Sequence, residues 1–235
     1  MSSTPATVDA ATATMISLIG SLADNKGALG RRYGEWAVSA PTIESAVAAA
    51  AMAQDELGHA RSTYPVLAKL GVERDDEGLG AGHPLRVLER ELPDWASFIA
   101  ANLVIDGVLT TFVASARSSS IEPLAQRARK ILQEEGAHRV HAEAWLRRMC
   151  RSGTGDRDLL LRRIEEMWTE VARWPGPAGH PGYAAAVREG MVAGGPEVVR
   201  GQVREWLTAL LAAERATVRL DDPSDWASWD ERQRR

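Results

Sequence analysis

Two Glu-x-x-His sequences, Glu56 to His59 and Glu135 to His138, constrain this chain more than any other feature. Residues three apart on a helix share a face, so each glutamate and its histidine can reach the same ion. A carboxylate can bridge two metals while an imidazole nitrogen caps one of them. A single such pair arises by chance in many helices, where it is an exposed salt bridge. Two pairs, each in the middle of a long helical pattern, are far more specific to a metal site built between helices.

The surrounding sequence supplies those helices. Met15, Ile19, Leu22, Leu29, Tyr33 and Trp36 recur at helical spacing between about Val8 and Ser39. Ala40-Pro41-Thr42 breaks the pattern and suits the opening of a second helix, which runs from about Thr42 to Leu70 and stops at Gly71. Residues 72–93 read as a crossover, a third helix spans about Asp94 to Arg117, and a fourth runs from Pro123 to about Arg151. Two hairpins joined by one long crossover predict an all-α, ferritin-like four-helix bundle. Additional C-terminal helices are expected near 156–173, 183–192 and 196–220, with a Pro/Gly-rich loop at 174–182 and a frayed last 15 residues. We read residues 1–235 as one ferritin-like domain, with a core bundle over about 8–151 and a helical extension over about 156–220.

Such a site needs one further ligand from each remaining helix. If the second hairpin turns between Ser120 and Ile121, Asp106 lies level with Glu135, a lone acid within Leu103-Val104-Ile105-Asp106-Gly107-Val108-Leu109. A buried acid is costly unless paired or metal-bound, which makes Asp106 a ligand candidate beside a structural reading with an N–H or Arg partner. The same mirror about Ala40 and Pro41 leads from Glu56 to Asn25 and its neighbours. Of these, Lys26 falls on the inward stripe of Leu22, Ile19 and Tyr33, whereas Asp24 lies half a turn away and is expected to face outward. Glu35 is too close to the turn to reach the level of Glu56. Lysine therefore stands where a fourth carboxylate is wanted.

Three states follow. Protonated Lys26 beside Glu56, Asp106 and Glu135 leaves a net charge near -2, suited to one divalent ion. A neutral Lys26 amine would itself ligate and allow two ions. Alternatively Lys26 pairs with the carboxylates and no metal binds. Elsewhere, His141 reads as a non-ligand, Tyr33 as a core residue near the site, and Trp145, Trp168 and Trp206 as core or interface anchors. Trp174-Pro175-Gly176-Pro177 fits either a channel cover or a subunit contact.

A net charge of -4, with basic residues interspersed among acids, gives no reason to expect nucleic acid or an anionic membrane as partner. Cys150 is the only cysteine and can form neither an internal disulfide nor a thiolate cluster. The start of the chain lacks the pattern of a secretory signal, and we expect a cytoplasmic protein that does not span a membrane.

Ala23-Asp24-Asn25-Lys26, Gly34-Glu35-Trp36, Ala40-Pro41-Thr42, Gln54-Asp55-Glu56-Leu57-Gly58-His59-Ala60-Arg61, Ile105-Asp106-Gly107 and Glu134-Glu135-Gly136-Ala137-His138 together resemble the phenylacetic acid catabolic family over about residues 12–150. That family comprises the catalytic and scaffold subunits of the bacterial phenylacetyl-CoA epoxidase. The resemblance implies a ferritin-like fold. For a catalytic subunit it implies two irons that activate dioxygen and oxygenate a coenzyme A thioester, with electrons from a separate reductase. It carries over Glu56, His59, Asp106, Glu135 and His138 as metal ligands, while the family's first-helix glutamate falls on Lys26. In length and in Asp24-Asn25 and Gly34-Glu35-Trp36 the chain is more similar to the scaffold subunit, which has lost its ligands and pairs with the catalytic one. Three expectations stand together: an oxygenase using two irons, one iron or manganese, with Lys26 tuning the site or delivering protons; a scaffold subunit with a vestigial site; and a ferritin-like oxidase or peroxidase. A homologous partner subunit and a dimer through helical faces are implied by the same resemblance.

Overall fold

The computed structural model describes residues 9–72 and 82–235. Four long helices form the expected all-α, ferritin-like bundle: α1 (Ala10–Trp36), α2 (Ile43–Ala68), α3 (Trp95–Ser115) and α4 (Glu122–Ser152). Three helices follow, α5 (Thr154–Val171), α6 (Pro181–Arg188) and α7 (Pro196–Ala213). Their starts follow local chemistry. The Asp9 carboxylate accepts from the Thr12 N–H at 2.8 Å, the Thr42 hydroxyl from Ser45 N–H at 3.2 Å, and the Asp94 carboxylate from Ser97 N–H at 2.7 Å. Gly71, at φ 81°, ends the turn after α2, as its position after the last periodic residue predicts.

α1 and α2 form one antiparallel pair, and α4 bridges α2 and the C-terminal half of α3. α5 covers the N-terminal half of α3, α6 lies on α1, and α7 packs on the C-terminal half of α3. Enclosed from so many sides, α3 is the apolar centre of the molecule. It is long and apolar enough by composition to cross a membrane, yet 83% of its most apolar window is buried inside the protein. In α3 the residues Ala101–Asp106 form a π-helical segment between the α-helical stretches Trp95–Ala100 and Gly107–Ser115. Such wide turns are rare and concentrate at functional sites; this one ends on Asp106.

Three expectations need correction. Asp24 does not face solvent: it is 4% exposed, accepting from the Tyr64 hydroxyl at 2.7 Å and from His83 N–H at 3.2 Å. Asn25 beside it accepts from Leu85 N–H at 2.8 Å. The flank of α1 opposite Lys26 is thus covered by the end of the crossover. A Cβ at Gly82 would lie 2.0 Å from the Asp24 carboxylate, so a larger residue there would have to displace that side chain. The last helix stops at Ala213 instead of continuing to 220, because Arg215 adopts φ 54° and the chain turns back over α5, where Arg219 N–H donates to Glu165 at 2.8 Å.

The C-terminal residues are not frayed. Arg234 is 1% exposed and donates to the carbonyls of Trp174 and Pro175, each at 2.7 Å, and to the Ser17 hydroxyl at 3.1 Å. Buried Arg200 serves Gly176 O at 2.6 Å. The Pro/Gly loop therefore has its carbonyls satisfied by two arginines from distant segments, which no local pattern could announce. Replacing Arg234 by alanine strands two buried carbonyls at roughly 1–3 kcal/mol each. We expect Arg234→Ala to cost about 2–4 kcal/mol in urea denaturation with the helical circular dichroism of the native state unchanged.

Candidate metal centre

The two motif helices and α3 aim their acids at one point. Glu56 on α2, Asp106 at the end of the π segment and Glu135 on α4 are all buried, and His59 and His138 flank them. One donor atom from each of Glu56, Asp106, Glu135 and His138 lies within 4.8 Å of every other, a grouping able to hold a metal ion. His59 approaches the same acids, with Nδ1 3.3 Å from Glu135 Oε1 and 3.9 Å from Glu56 Oε2. All five residues singled out from the motifs and the hairpin mirror are thus brought together.

Lys26, the sixth, is fully buried at the centre. Its ammonium donates to Glu56 Oε1 at 3.0 Å, to Asp106 Oδ1 at 2.5 Å and to Glu135 Oε1. Burial works against its charge, but the fields of Asp106, Glu135 and Glu56 outweigh that and hold its pKa well above the ordinary lysine value. In the absence of a metal ion the three acids thus favour Lys26 as an ammonium in contact with all of them.

The same balance sorts the other groups. Burial pushes Glu56 up to about 7 despite Lys26, and its Oε2 has no hydrogen-bond partner among the described residues. Glu135 is also buried, but Lys26 and the two imidazoles pull it well below the usual carboxylate range. Burial opposes the His138 proton, yet Asp106, Glu135 and Glu56 raise its pKa to about 12, and His59 is raised in the same way by Glu135 and Glu56.

Two residues not singled out from the sequence complete the centre. Asp55 and Glu134, each immediately before a motif glutamate, hold the histidine of the opposite helix. His59 Nε2 lies 2.8 Å from Glu134 Oε2, and His138 Nε2 lies 3.2 Å from Asp55 Oδ2. Each imidazole, held at Nε2, turns Nδ1 toward the acids, the orientation in which outer carboxylates fix histidine ligands once that nitrogen is deprotonated. Both Nδ1 atoms are buried and lack a hydrogen bond among the described residues. Acid-acid-x-x-His, in place of Glu-x-x-His, is the signal that would have found them. Thr110 adds a hydroxyl 3.2 Å from Asp106 Oδ1. Tyr33 packs its ring 4.9 Å from Phe98, and its hydroxyl makes no hydrogen bond among the described residues. Burial and the nearby acids push that phenol well above its ordinary pKa. His141 lies edge-on to Trp95 and Phe98, at 6.0 and 6.2 Å between ring centroids.

The profile of the family described as phenylacetic acid catabolic protein matches residues 1–235. The chain is also 27% identical over 157 residues to one subunit of the 1,2-phenylacetyl-CoA epoxidase of Escherichia coli (strain K12). That match covers 64% of this chain and 63% of the relative, so the chain spans under two thirds of its length.

A pH dependence follows from the raised groups. Glu56 titrates at about 7 in the folded chain against 4.5 ordinarily, and His138 at about 12 against 6.5. Both bind protons more tightly when folded, so stability is greatest below the ordinary values and falls as pH rises toward the folded ones. Chelator-treated protein should lose thermal stability steadily from pH 5 to pH 8, and a divalent ion should restore it most at pH 8, with proton release visible in calorimetry as a buffer-dependent binding heat.

Proposed function

The chain belongs to the phenylacetic acid catabolic protein family, and on that premise we propose that it is a non-haem oxygenase subunit built around a one-metal variant of the family's two-metal centre. The observation that carries this reading is the convergence of Glu56, Asp106, Glu135 and His138 within 4.8 Å, beside an ammonium that already contacts three of them. Three carboxylates and Lys26 leave a charge of about -2, which one divalent ion neutralises where uncompensated charge is expensive. The donor set of oxygens with one imidazole nitrogen suits iron or manganese. Nδ1 of His138 and Oε2 of Glu56 make no hydrogen bond among the described residues, and each would become a donor to the ion on losing its proton.

In this reading Glu56, Asp106, Glu135 and His138 hold the ion, and His59 stands by at its edge. The ion would supply activation of dioxygen for oxygenation of an organic substrate. Lys26 holds a proton at Nζ against Glu56, Asp106 and Glu135, compensating charge and orienting their free oxygens. Asp55 and Glu134 fix the imidazole planes. Glu56, at about 7, is the group best able to take up or give back a proton near neutrality. By relationship, the substrate would be an aromatic or acyl coenzyme A thioester, with electrons from a separate reductase and a homologous subunit as partner.

A second reading rests on a different observation. The acids Glu56, Asp106 and Glu135 are matched by Lys26 and by two imidazoles raised in pKa, so the cluster can neutralise itself without metal. That suits a scaffold subunit with an obligate partner and no turnover of its own. Metal analysis after anaerobic loading with ferrous iron decides between them. We expect one ion per chain, lost in Glu135→Gln and in His138→Gln, and about two per chain in Lys26→Glu, which exchanges the ammonium for a fourth carboxylate. Absence of bound metal in the wild-type chain, with no optical change on admitting oxygen, overturns the first reading in favour of the second.

A further inference from the structure

Each cluster acid on α3 and α4 is followed by a glycine, Asp106-Gly107 and Glu135-Gly136. Both glycines line a cavity of about 220 Å³ whose inner end is formed by Asp106 and Glu135. α4 offers it Leu132, Gly136 and Arg139, a single stripe at i, i+4 and i+7. Opposite stands Trp206 of α7, whose ring lies so near Gly107 that a Cβ there would sit 3.2 Å from it. At Gly136 a Cβ would meet nothing within 4 Å. The groove over the cluster is thus closed at Gly107 by an indole and open at Gly136.

The indole is held from α4. The Arg139 guanidinium lies over it, 4.4 Å from the ring centroid. Glu143 accepts both from Arg139 Nε at 3.0 Å and from Trp206 Nε1 at 3.1 Å. Arg139 and Trp206 line the cavity, and with Glu143 they form a partly exposed trio where a packed core would use apolar side chains.

We propose that this cavity is the route by which a small molecule reaches the carboxylate cluster, that Gly136 sets its width, and that Trp206, tied by Arg139 and Glu143, forms its mouth. The proposal rests on reading the cluster as a place of chemistry. Size defines the ligand class. A sealed apolar cavity of about 150 Å³ holds benzene, so this one admits a single ring or an equally compact apolar group.

Phenol is a suitable probe, titrated into the whole chain both metal-free and iron-loaded, by calorimetry or ligand-observed NMR. Wild-type protein is expected to bind one phenol in either state. Gly136→Phe, which grows into open space and should leave the melting temperature nearly unchanged, is expected to weaken binding by about tenfold or more, while Gly136→Ala stays within about threefold of wild type. Trp206→Ala, which loosens the mouth without touching Asp106 or Glu135, should speed phenol exchange and keeps the proposal testable should the Phe variant fail to fold. No binding to wild type, or equal binding to wild type and Gly136→Phe, overturns the proposal. Iron content measured on the same samples separates this outcome from the functional reading. A chain that holds iron but excludes phenol sinks the route alone, and one that binds phenol but no iron sinks only the metal assignment.

Discussion

The ammonium of Lys26 is the contact on which the middle of this bundle depends. Glu56, Asp106 and Glu135 come from three helices and are all but inaccessible to water. Unit charges about 4 Å apart repel by roughly 4 kcal/mol even at an effective dielectric constant of 20, so three such acids cannot share a dry space unaided. One cation reaching all three offsets that repulsion and lets α2, α3 and α4 close around α1. Removing it would leave buried charges that can be accommodated only by binding protons or a metal.

The imidazoles add a second layer of compensation, and it is a conditional one. Asp55 and Glu134 hold the outer nitrogens of His138 and His59, leaving the inner nitrogens against Glu56, Asp106 and Glu135. A proton on an inner nitrogen makes it a cation facing the acids; loss of that proton makes it a lone pair facing a metal. Protons and a divalent ion therefore compete for one set of atoms.

What could be read from the sequence was what repeats at helical period. The four bundle helices, the two motifs and the facing positions of Asp106 and Lys26 all follow from periodicity and from hairpins whose arms must run level. Those inferences need only the rise and phase of a helix. What escaped was decided by contacts distant in sequence. Asp24 has the phase of an outward residue and is buried because residues 82–85 return over it. Arg234 sits in a stretch with no periodic signal and is fixed by carbonyls of the Trp174-Pro175 loop. The π segment ending at Asp106 lies in a run of apolar residues whose pattern reads as plain helix, and no residue in it announces a wider turn.

The exchange of a carboxylate for Lys26 has a consequence beyond the loss of one ligand. Glutamate to lysine changes the charge of a site by two units, the charge of one divalent ion. Four carboxylates with two divalent ions form a neutral set; three carboxylates with a lysine ammonium and one divalent ion form another. A neutral side chain at position 26 would form neither, leaving a charge of one unit in a buried space whichever number of ions is bound. If the site holds a single divalent ion, lysine is thus the side chain at position 26 that keeps it balanced. Its reach explains how it can do so: Nζ stands within hydrogen-bonding distance of oxygens from α2, α3 and α4 together, the space in which a second ion would have to satisfy the same acids. In the one-ion reading, four donors would hold the ion, and the ammonium would stand in for the other as a cation that cannot be chelated or oxidised away.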